Sequence, residues 1–369
     1  MSPRHYAVLI AVAAVVTLLV TPLVRAVGRR YGLVDQPGGR KVHSHPIPRL
    51  GGVAIFLGVA ASIALQVFGE ARLGWQGTLL AGADGNVSLA GVAAGITLVF
   101  LVGLADDIVD LTWWVKLLGQ IAAAGIVVAA GLRIDYIGSP TGGGLILLGL
   151  LSVPVTVTYL VGFANVINLI DGLDGLAAGV TAIAATSLLA LAAPANRLDA
   201  AALAAAVIGA CVGFLRYNFN PASIFMGDSG SMFLGFTLAT ISLLGVMKTT
   251  AAIALAVPLI IIGVPIFDTV SAIVRRVRSN RPIQEADRGH IHHRLLTRGF
   301  NQRQTVLIIY VWSAALAMGG YAVRYAPGAF RLFAFVLLLG ITGFMAQWIG
   351  LFEAAHKDSG DDEPQAGRT

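Results

Sequence analysis

Five aspartates set the chemistry available to this sequence. Asp106 and Asp107 are adjacent, Asp171 and Asp174 lie three apart in N-V-I-N-L-I-D-G-L-D-G (165–175), and Asp228 sits in M-G-D-S-G (226–230). Each falls at the edge of an apolar run, where neighbouring like charges are costly unless a cation or a function holds them. Carboxylates with few other hard ligands suit Mg²⁺, which keeps several waters and binds substrate phosphates. The opposite charge is concentrated in 275–294, which holds Arg275, Arg276, Arg278, Arg281, Arg288 and Arg294 together with His290, His292 and His293. Such donors suit anionic oxygens, and with no cysteine nearby a zinc site is disfavoured. The small-residue turn at 226–230 opens an apolar run with backbone N–H groups that could receive an anion. Metal-binding carboxylates beside a basic loop suggest phosphoryl transfer to or from a membrane-embedded substrate.

Several of these residues also have plainer readings. Asp35 and Asp110 read as helix caps, and Arg275 and Arg276 as membrane-side anchors. If 165–175 is helical, Asn165 and Asn168, and likewise Asp171 and Asp174, share roughly one face. Gly172 and Gly175 then let a partner or ligand approach the backbone closely.

The elements that must position these residues are membrane helices. The chain has 369 residues, of which 57% are apolar and only 12% charged, with a mean hydropathy of +0.81. Soluble domains carry about 25% charged residues. The single cysteine, Cys211, excludes a disulfide framework. Apolar runs fall at about 6–27, 50–68, 88–105, 113–130, 145–164, 176–193, 199–215, 230–247, 250–273, 305–323 and 330–351. The expectation is an all-α polytopic protein of about 11 transmembrane helices. One catalytic domain spans 1–352, and a polar, disordered tail follows at 353–369. The Gly-rich stretch 133–144 reads as a small hairpin.

Charge sets the orientation. Segments after the odd-numbered runs hold 18 of the 25 lysines and arginines. That side is cytoplasmic by the positive-inside rule, so the N-terminus is outside and the tail inside. All five polar motif loops then fall on the cytoplasmic side: 34–52, the Asp106–Asp107 segment, 165–175, 217–231 and 275–294.

These motifs resemble the polyprenyl-phosphate N-acetylhexosamine-1-phosphate transferase superfamily, the WecA/TagO and MraY enzymes. The resemblance is carried in order by P-R-L-G-G (48–52), D-D (106–107), N-x-x-N-x-x-D-G-x-D-G (165–175), N-P-A-x-x-F-M-G-D-S-G-S (220–231) and H-I-H-H-R-L (290–295). It implies transfer of a sugar 1-phosphate from a UDP-sugar to a polyprenyl phosphate in a bacterial cell membrane, with release of UMP and with Mg²⁺ or Mn²⁺ as cofactor. It further implies that Asp228 binds the metal and that Asp106 and Asp107 serve the acceptor phosphate and catalysis. His290, His292 and His293 would act on the phosphates or sugar. Asp171, Asp174, Asn218 and Phe225 would line the nucleotide pocket, with Asn165, Asn168 and Arg294 in the same motifs, and Lys41 and His45 would border the nucleotide. The H-x-H-H-R pattern resembles the WecA/TagO branch, implying UDP-N-acetylglucosamine or a close relative as donor.

Alternatives are the muramyl-pentapeptide branch, whose members typically show three consecutive histidines, and a membrane transporter. Transport sites usually lie near the bilayer midplane, which only Asp268 could approach here. A CDP-alcohol phosphotransferase, prompted by D-G-L-D-G-L-A-A, is rejected because no further aspartate follows until Asp199. The expected partners are the two substrates, the membrane and a second copy of the chain; nucleic acid is not expected.

Overall fold

Away from water, an apolar segment must satisfy its backbone polar groups internally, and a helix does so locally. The computed structural model describes residues 2–36, 45–77, 79, 87–138, 145–246, 259–260, 262–278, 290–325 and 328–350, and each apolar run supplies a helix within them. The first eight are α1 (Pro3–Arg30), α2 (Gly51–Arg72), α3 (Leu89–Val109), α4 (Trp113–Ala129), α5 (Ser152–Ile170), α6 (Leu176–Ala192), α7 (Leu198–Asn218) and α8 (Gly227–Val246). They are followed by α9 (Gly263–Arg278), a short α10 (Ile291–Thr297), α11 (Gln302–Tyr325) and α12 (Gly328–Ile349). Among the described residues, six helical spans are long and apolar enough to cross a membrane, and shorter apolar helices accompany them. The chain is an all-α, multi-pass membrane protein.

Three features beyond the plain apolar helices shape the bundle. The run beginning at Leu145 starts not as helix but as a strand and a 3₁₀ turn (Gly149–Leu151), so α5 extends to Ile170 and carries Asn165 and Asn168. The Gly-rich stretch does lead into a hairpin, in which β3 (Tyr136–Gly138) pairs antiparallel with β4 (Leu145–Leu147). Third, α10 is an additional helix inside the basic loop. A two-residue antiparallel pair, β1 (Val34–Asp35) with β2 (Ile47–Pro48), closes the loop between α1 and α2. The tail at 353–369 and Lys41 lie outside the described residues.

Helix α8 is the central post. Residues 229–244 are all buried, and α8 packs on α3, α5 and α2. Close approach depends on small residues, as in other membrane bundles: a Cβ at Gly103 of α3 would lie 2.6 Å from the carbonyl oxygen of Asp228. Below this contact the rings of Phe56 and Phe100 stack at 4.1 Å, with Phe233 edge-on to Phe56. The same packing that joins α3 to α8 therefore brings the two aspartates of α3 to the first turn of α8.

Candidate active site

A cavity of about 820 Å³ opens at one end of the bundle. Its walls come from the segments after α1, α5 and α7, from the last turn of α3 and the first turn of α8, and from α10. Eleven of the fifteen residues that the resemblance assigns to the site line it: His45, Asp106, Asp107, Asn168, Asp171, Asp174, Asn218, Phe225, Asp228, His292 and His293.

The two adjacent aspartates do different things. Asp107 is buried and accepts hydrogen bonds from the backbone N–H of Asp228 (2.8 Å) and of Ser229 (3.0 Å), and from the Ser229 hydroxyl. These are N–H groups of the first turn of α8, which has no intrahelical partner for them. A carboxylate there also meets the positive end of the helix dipole. The anion expected at the 226–230 turn is therefore the protein's own Asp107. Asp106 faces the other way: its Oδ1 accepts from the backbone N–H of Leu111 (2.8 Å), and its Oδ2 accepts from the Lys116 ammonium (3.2 Å).

Lys116 also donates to Asp228 Oδ2 at 3.0 Å, so its ammonium lies between two carboxylates. Asn168 completes the group by donating to Asp228 Oδ1 (2.9 Å) and to the Ser231 hydroxyl (2.9 Å). Among the described residues no cluster of three or more His, Cys, Asp or Glu side chains forms a complete metal cage. Hard carboxylate oxygens gathered around a positive charge and open to a cavity instead match a cation that takes one or two protein ligands and fills its shell with water and phosphate, as Mg²⁺ does.

The loop before α2 and the loop before α8 are zipped together by backbone. Phe225 N–H donates to the Pro48 carbonyl (2.8 Å), while Gly51 and Gly52 donate to the carbonyls of Phe225 (2.9 Å) and Met226 (2.8 Å). The P-R-L-G-G motif follows from this contact, because a Cβ at Gly52 would lie 2.2 Å from the backbone nitrogen of Gly230. Its arginine clamps the end of α3: Arg49 Nε donates to the Asp107 carbonyl (3.0 Å) and Nη2 to Asp110 (2.8 Å). Asp110 therefore ends α3 in a left-handed conformation (φ 51°) and does not cap the next helix. Asp35 likewise lies in β1, at the cavity wall, rather than at a helix start.

The D-G-L-D-G segment is a turn, so Asp171 and Asp174 do not share a helix face. Asp174 accepts from the Asn220 amide and the Ala222 N–H (both 2.9 Å). Asn218 accepts from the Gly175 N–H (3.0 Å) and donates to the Ile224 carbonyl (2.9 Å). These two side chains shape the wall by tying the turns together. Asp171 keeps part of its surface toward the cavity yet sits deep. Burial, and then the charges of Asp228, Asp107 and Asp174, push its carboxyl well above the usual carboxylate range.

Opposite Asp171, the backbone approach that Gly172 permits is made by a histidine: a Cβ at Gly172 would lie 2.8 Å from His292 Nε2. His292 is buried, and burial followed by the neighbouring His293 lowers its pKa to about 3, which keeps the ring neutral. It can therefore offer a phosphate a neutral N–H but no charge. Its ring centroid lies 4.3 Å from that of His293.

Three residues carried over by resemblance lie outside the cavity lining. Asn165 donates to Gln120 Oε1 (2.7 Å) beneath the carboxylates. His290 is buried against Asp268 (3.0 Å). Arg294 Nη1 donates to the Gly350 carbonyl at the end of α12. Conversely, Lys116, one of the 18 basic residues that set the orientation, and Asp268, the acid that could approach the midplane, belong to the site's framework. Lys116 stands ten residues after Asp106, on the next helix, and spacing alone gives no reason to pair them.

Residues 89–246 match the family described as Glycosyl transferase family 4. The chain is 37% identical over 346 residues to the Bacillus subtilis (strain 168) protein called probable undecaprenyl-phosphate N-acetylglucosaminyl 1-phosphate transferase, covering 94% of this chain and 92% of that one. It is 35% identical to the decaprenyl-phosphate N-acetylglucosaminephosphotransferase of Mycolicibacterium smegmatis, over 88% and 84% of the two chains. It is 29% identical to the undecaprenyl-phosphate alpha-N-acetylglucosaminyl 1-phosphate transferase of Escherichia coli (strain K12), over 87% and 85%. With the five motifs gathered at one cavity and near full-length similarity to these enzymes, the chain belongs to glycosyl transferase family 4, in its polyprenyl-phosphate N-acetylglucosamine-1-phosphate transferase group.

Proposed function

We propose that this protein transfers N-acetylglucosamine 1-phosphate from UDP-N-acetylglucosamine to a polyprenyl phosphate, releasing UMP. The observation that carries the reading is the carboxylate–lysine cluster exposed to a polar cavity at the end of an apolar bundle, in a chain similar over nearly its whole length to enzymes named for this transfer. An acceptor phosphate oxygen forms a bond to the sugar-bearing phosphorus of the donor, the bond from that phosphorus to the bridging oxygen breaks, and UMP leaves. Such a reaction depends mainly on positioning and charge stabilisation.

No protein base is needed to begin it. A phosphate monoester has its second pKa near about 6 and is largely dianionic at neutral pH. Asp107, with its oxygens engaged at the α8 N-terminus, acts as a structural anchor in this reading. Asp106 and Lys116 set the electrostatics where the phosphates meet, and Asp228, with Asp106 beside it, would hold Mg²⁺. That ion would supply charge neutralisation of the diphosphate. The half-buried ring of Phe225 offers a face for the uracil, while His292 and His293 lie where donor phosphate or sugar oxygens would come.

The side of the membrane follows from charge. The segments that converge on the cavity follow odd-numbered helices, and they carry most of the lysines and arginines, which favours a cytoplasmic active site. A cysteine within 275–303 should resist impermeant thiol reagents in intact cells, and labelling from outside would reverse this orientation. The reaction itself is tested with purified protein, UDP-N-acetylglucosamine, undecaprenyl phosphate and Mg²⁺. The expected products are UMP and a lipid heavier by one N-acetylglucosamine phosphate; absence of that lipid removes the proposal.

A further inference from the structure

The histidines reach the cavity on α10, and the means by which they are held there involves a residue outside every motif. Asp268 lies in α9 and is buried at 2% exposure. Both of its carboxylate oxygens are used: Oδ2 meets His290 Nδ1 at 3.0 Å, and Oδ1 accepts from the Ile291 N–H at 2.8 Å. The Ile291 N–H belongs to the first turn of α10, a group that no intrahelical carbonyl can satisfy. The carboxylate thus caps α10 across the bundle and grips the residue before it. His290 has no side-chain bond capping its own helix. Its ring is instead nearly parallel to that of His292 (interplanar 6°, centroids 5.7 Å apart). His292 in turn packs on Gly172 of the D-G-L-D-G turn and lies beside His293 in the cavity wall.

The far end of α10 has other ties: Arg294 reaches the Gly350 carbonyl, and the Arg298 guanidinium lies 5.3 Å from the Trp348 ring centroid. The N-terminal end, where the histidines stand, is fixed by Asp268. We propose that Asp268 is a positioning residue of the transferase: through His290 and the Ile291 N–H it latches the histidine segment to α9 and sets His292 and His293 at the cavity. His290 then acts as part of this latch rather than on the substrate. The inference rests on the reading above for its kinetic consequences, while the latch itself is a claim about structure alone.

The test has two independent arms, on full-length purified protein. In the first, hydrogen–deuterium exchange of a peptide covering 290–297 is compared between wild type, Asp268→Ala and Asp268→Glu. Asp268→Ala should exchange at least tenfold faster at the N-terminal amides of this peptide, with 302–325 unchanged, and Asp268→Glu should restore much of the protection. In the second, Asp268→Ala should lower kcat/KM for UDP-N-acetylglucosamine by at least thirtyfold while leaving KM for undecaprenyl phosphate within twofold. His290→Ala added to Asp268→Ala should cost little more, because two residues of one latch do not add. If Asp268→Ala does not fold, Asp268→Asn replaces it, since an amide keeps the acceptor for Ile291 while presenting His290 with either a weaker acceptor or a donor. Unchanged exchange at 290–297 overturns the latch whatever the activity. Faster exchange with unchanged donor kinetics overturns the positioning role. Failure of wild-type turnover with this donor strikes the functional reading and leaves the exchange result standing.

Discussion

The carboxylates on one side of the cavity stand on helix ends that four helices lock together, whereas the histidines on the other side arrive on a seven-residue helix whose first turn is held by Asp268. On the carboxylate side, α3, α4, α5 and α8 each contribute a side chain to one hydrogen-bonded group: Asp106 and Asp107, Lys116, Asn168 and Asp228. On the histidine side, the chain crosses from α9 to α10, and one buried acid supplies the junction. The difference separates two kinds of dependence. Changes on the carboxylate side should strike fold and chemistry in proportions set by which atoms are lost, while changes on the histidine side should strike chemistry with little effect on the bundle.

The largest effect is expected at Asp228. Its side chain caps no helix; it receives Lys116 of α4 and Asn168 of α5 at the cavity, and an amide of the same shape keeps an acceptor there. Asp228→Asn should therefore lower turnover by about a thousandfold, at the upper end of what a lost electrostatic group costs, while thermal unfolding stays near wild type. Activity within tenfold at saturating Mg²⁺ would remove the assignment of Asp228 as the metal's ligand.

Asp107 should break the comparison in the opposite sense. Asp107→Ala strands the buried Ser229 N–H and the half-buried Asp228 N–H, and leaves the Ser229 hydroxyl only the Met226 carbonyl at 3.4 Å. Each stranded group costs about 1–3 kcal/mol, so a lower unfolding temperature should accompany the loss of activity. An Asp107→Ala protein as stable as wild type would show that the α8 cap is dispensable. Asp107 would then be available for a direct role.

A smaller and purely local effect is expected at Gly172. Gly172→Ala places a methyl 2.8 Å from His292 Nε2, so the ring must shift. Turnover should fall about tenfold with no change in unfolding temperature, since misplacing one catalytic contact by about 1 Å costs up to ~10²-fold. An accompanying drop in stability would mean that the histidine side is built into the bundle as firmly as the carboxylate side.

The sequence makes much of this legible because membrane helices are long, apolar and separated by polar turns. The runs, the hairpin after α4 and the motif loops all follow from composition and spacing, and the five motifs do meet at one cavity. What it conceals is the division of labour inside a motif. Asp106 and Asp107 are chemically identical neighbours, and only the rotation of α3 against α8 decides that one faces Lys116 and the other caps a helix. His290 and His292 are likewise one helical turn's start apart in role, because Asp268 lies on a helix more than twenty residues earlier in the chain. Asp171 and Asp174 read as a helical face because their spacing is three, yet α5 ends at Ile170 and α6 begins only after Gly175 (φ 82°), so both aspartates lie on the turn between two helices. Lys116 looks like an anchoring charge, since its partners are set by the packing of α4 on α3 rather than by local order.

Donor choice separates this transferase from one that makes a peptidoglycan precursor, and a competition between donors tests it most directly. Purified protein is given undecaprenyl phosphate and Mg²⁺ with equal amounts of UDP-N-acetylglucosamine and UDP-N-acetylmuramoyl-pentapeptide, and the lipid products are weighed by mass spectrometry. The nucleotide half is common to both, so UMP release alone cannot separate them. The expected product is dominated by the N-acetylglucosamine diphosphate lipid. A product dominated by the muramoyl-pentapeptide lipid would contradict this donor choice and place the enzyme in peptidoglycan synthesis.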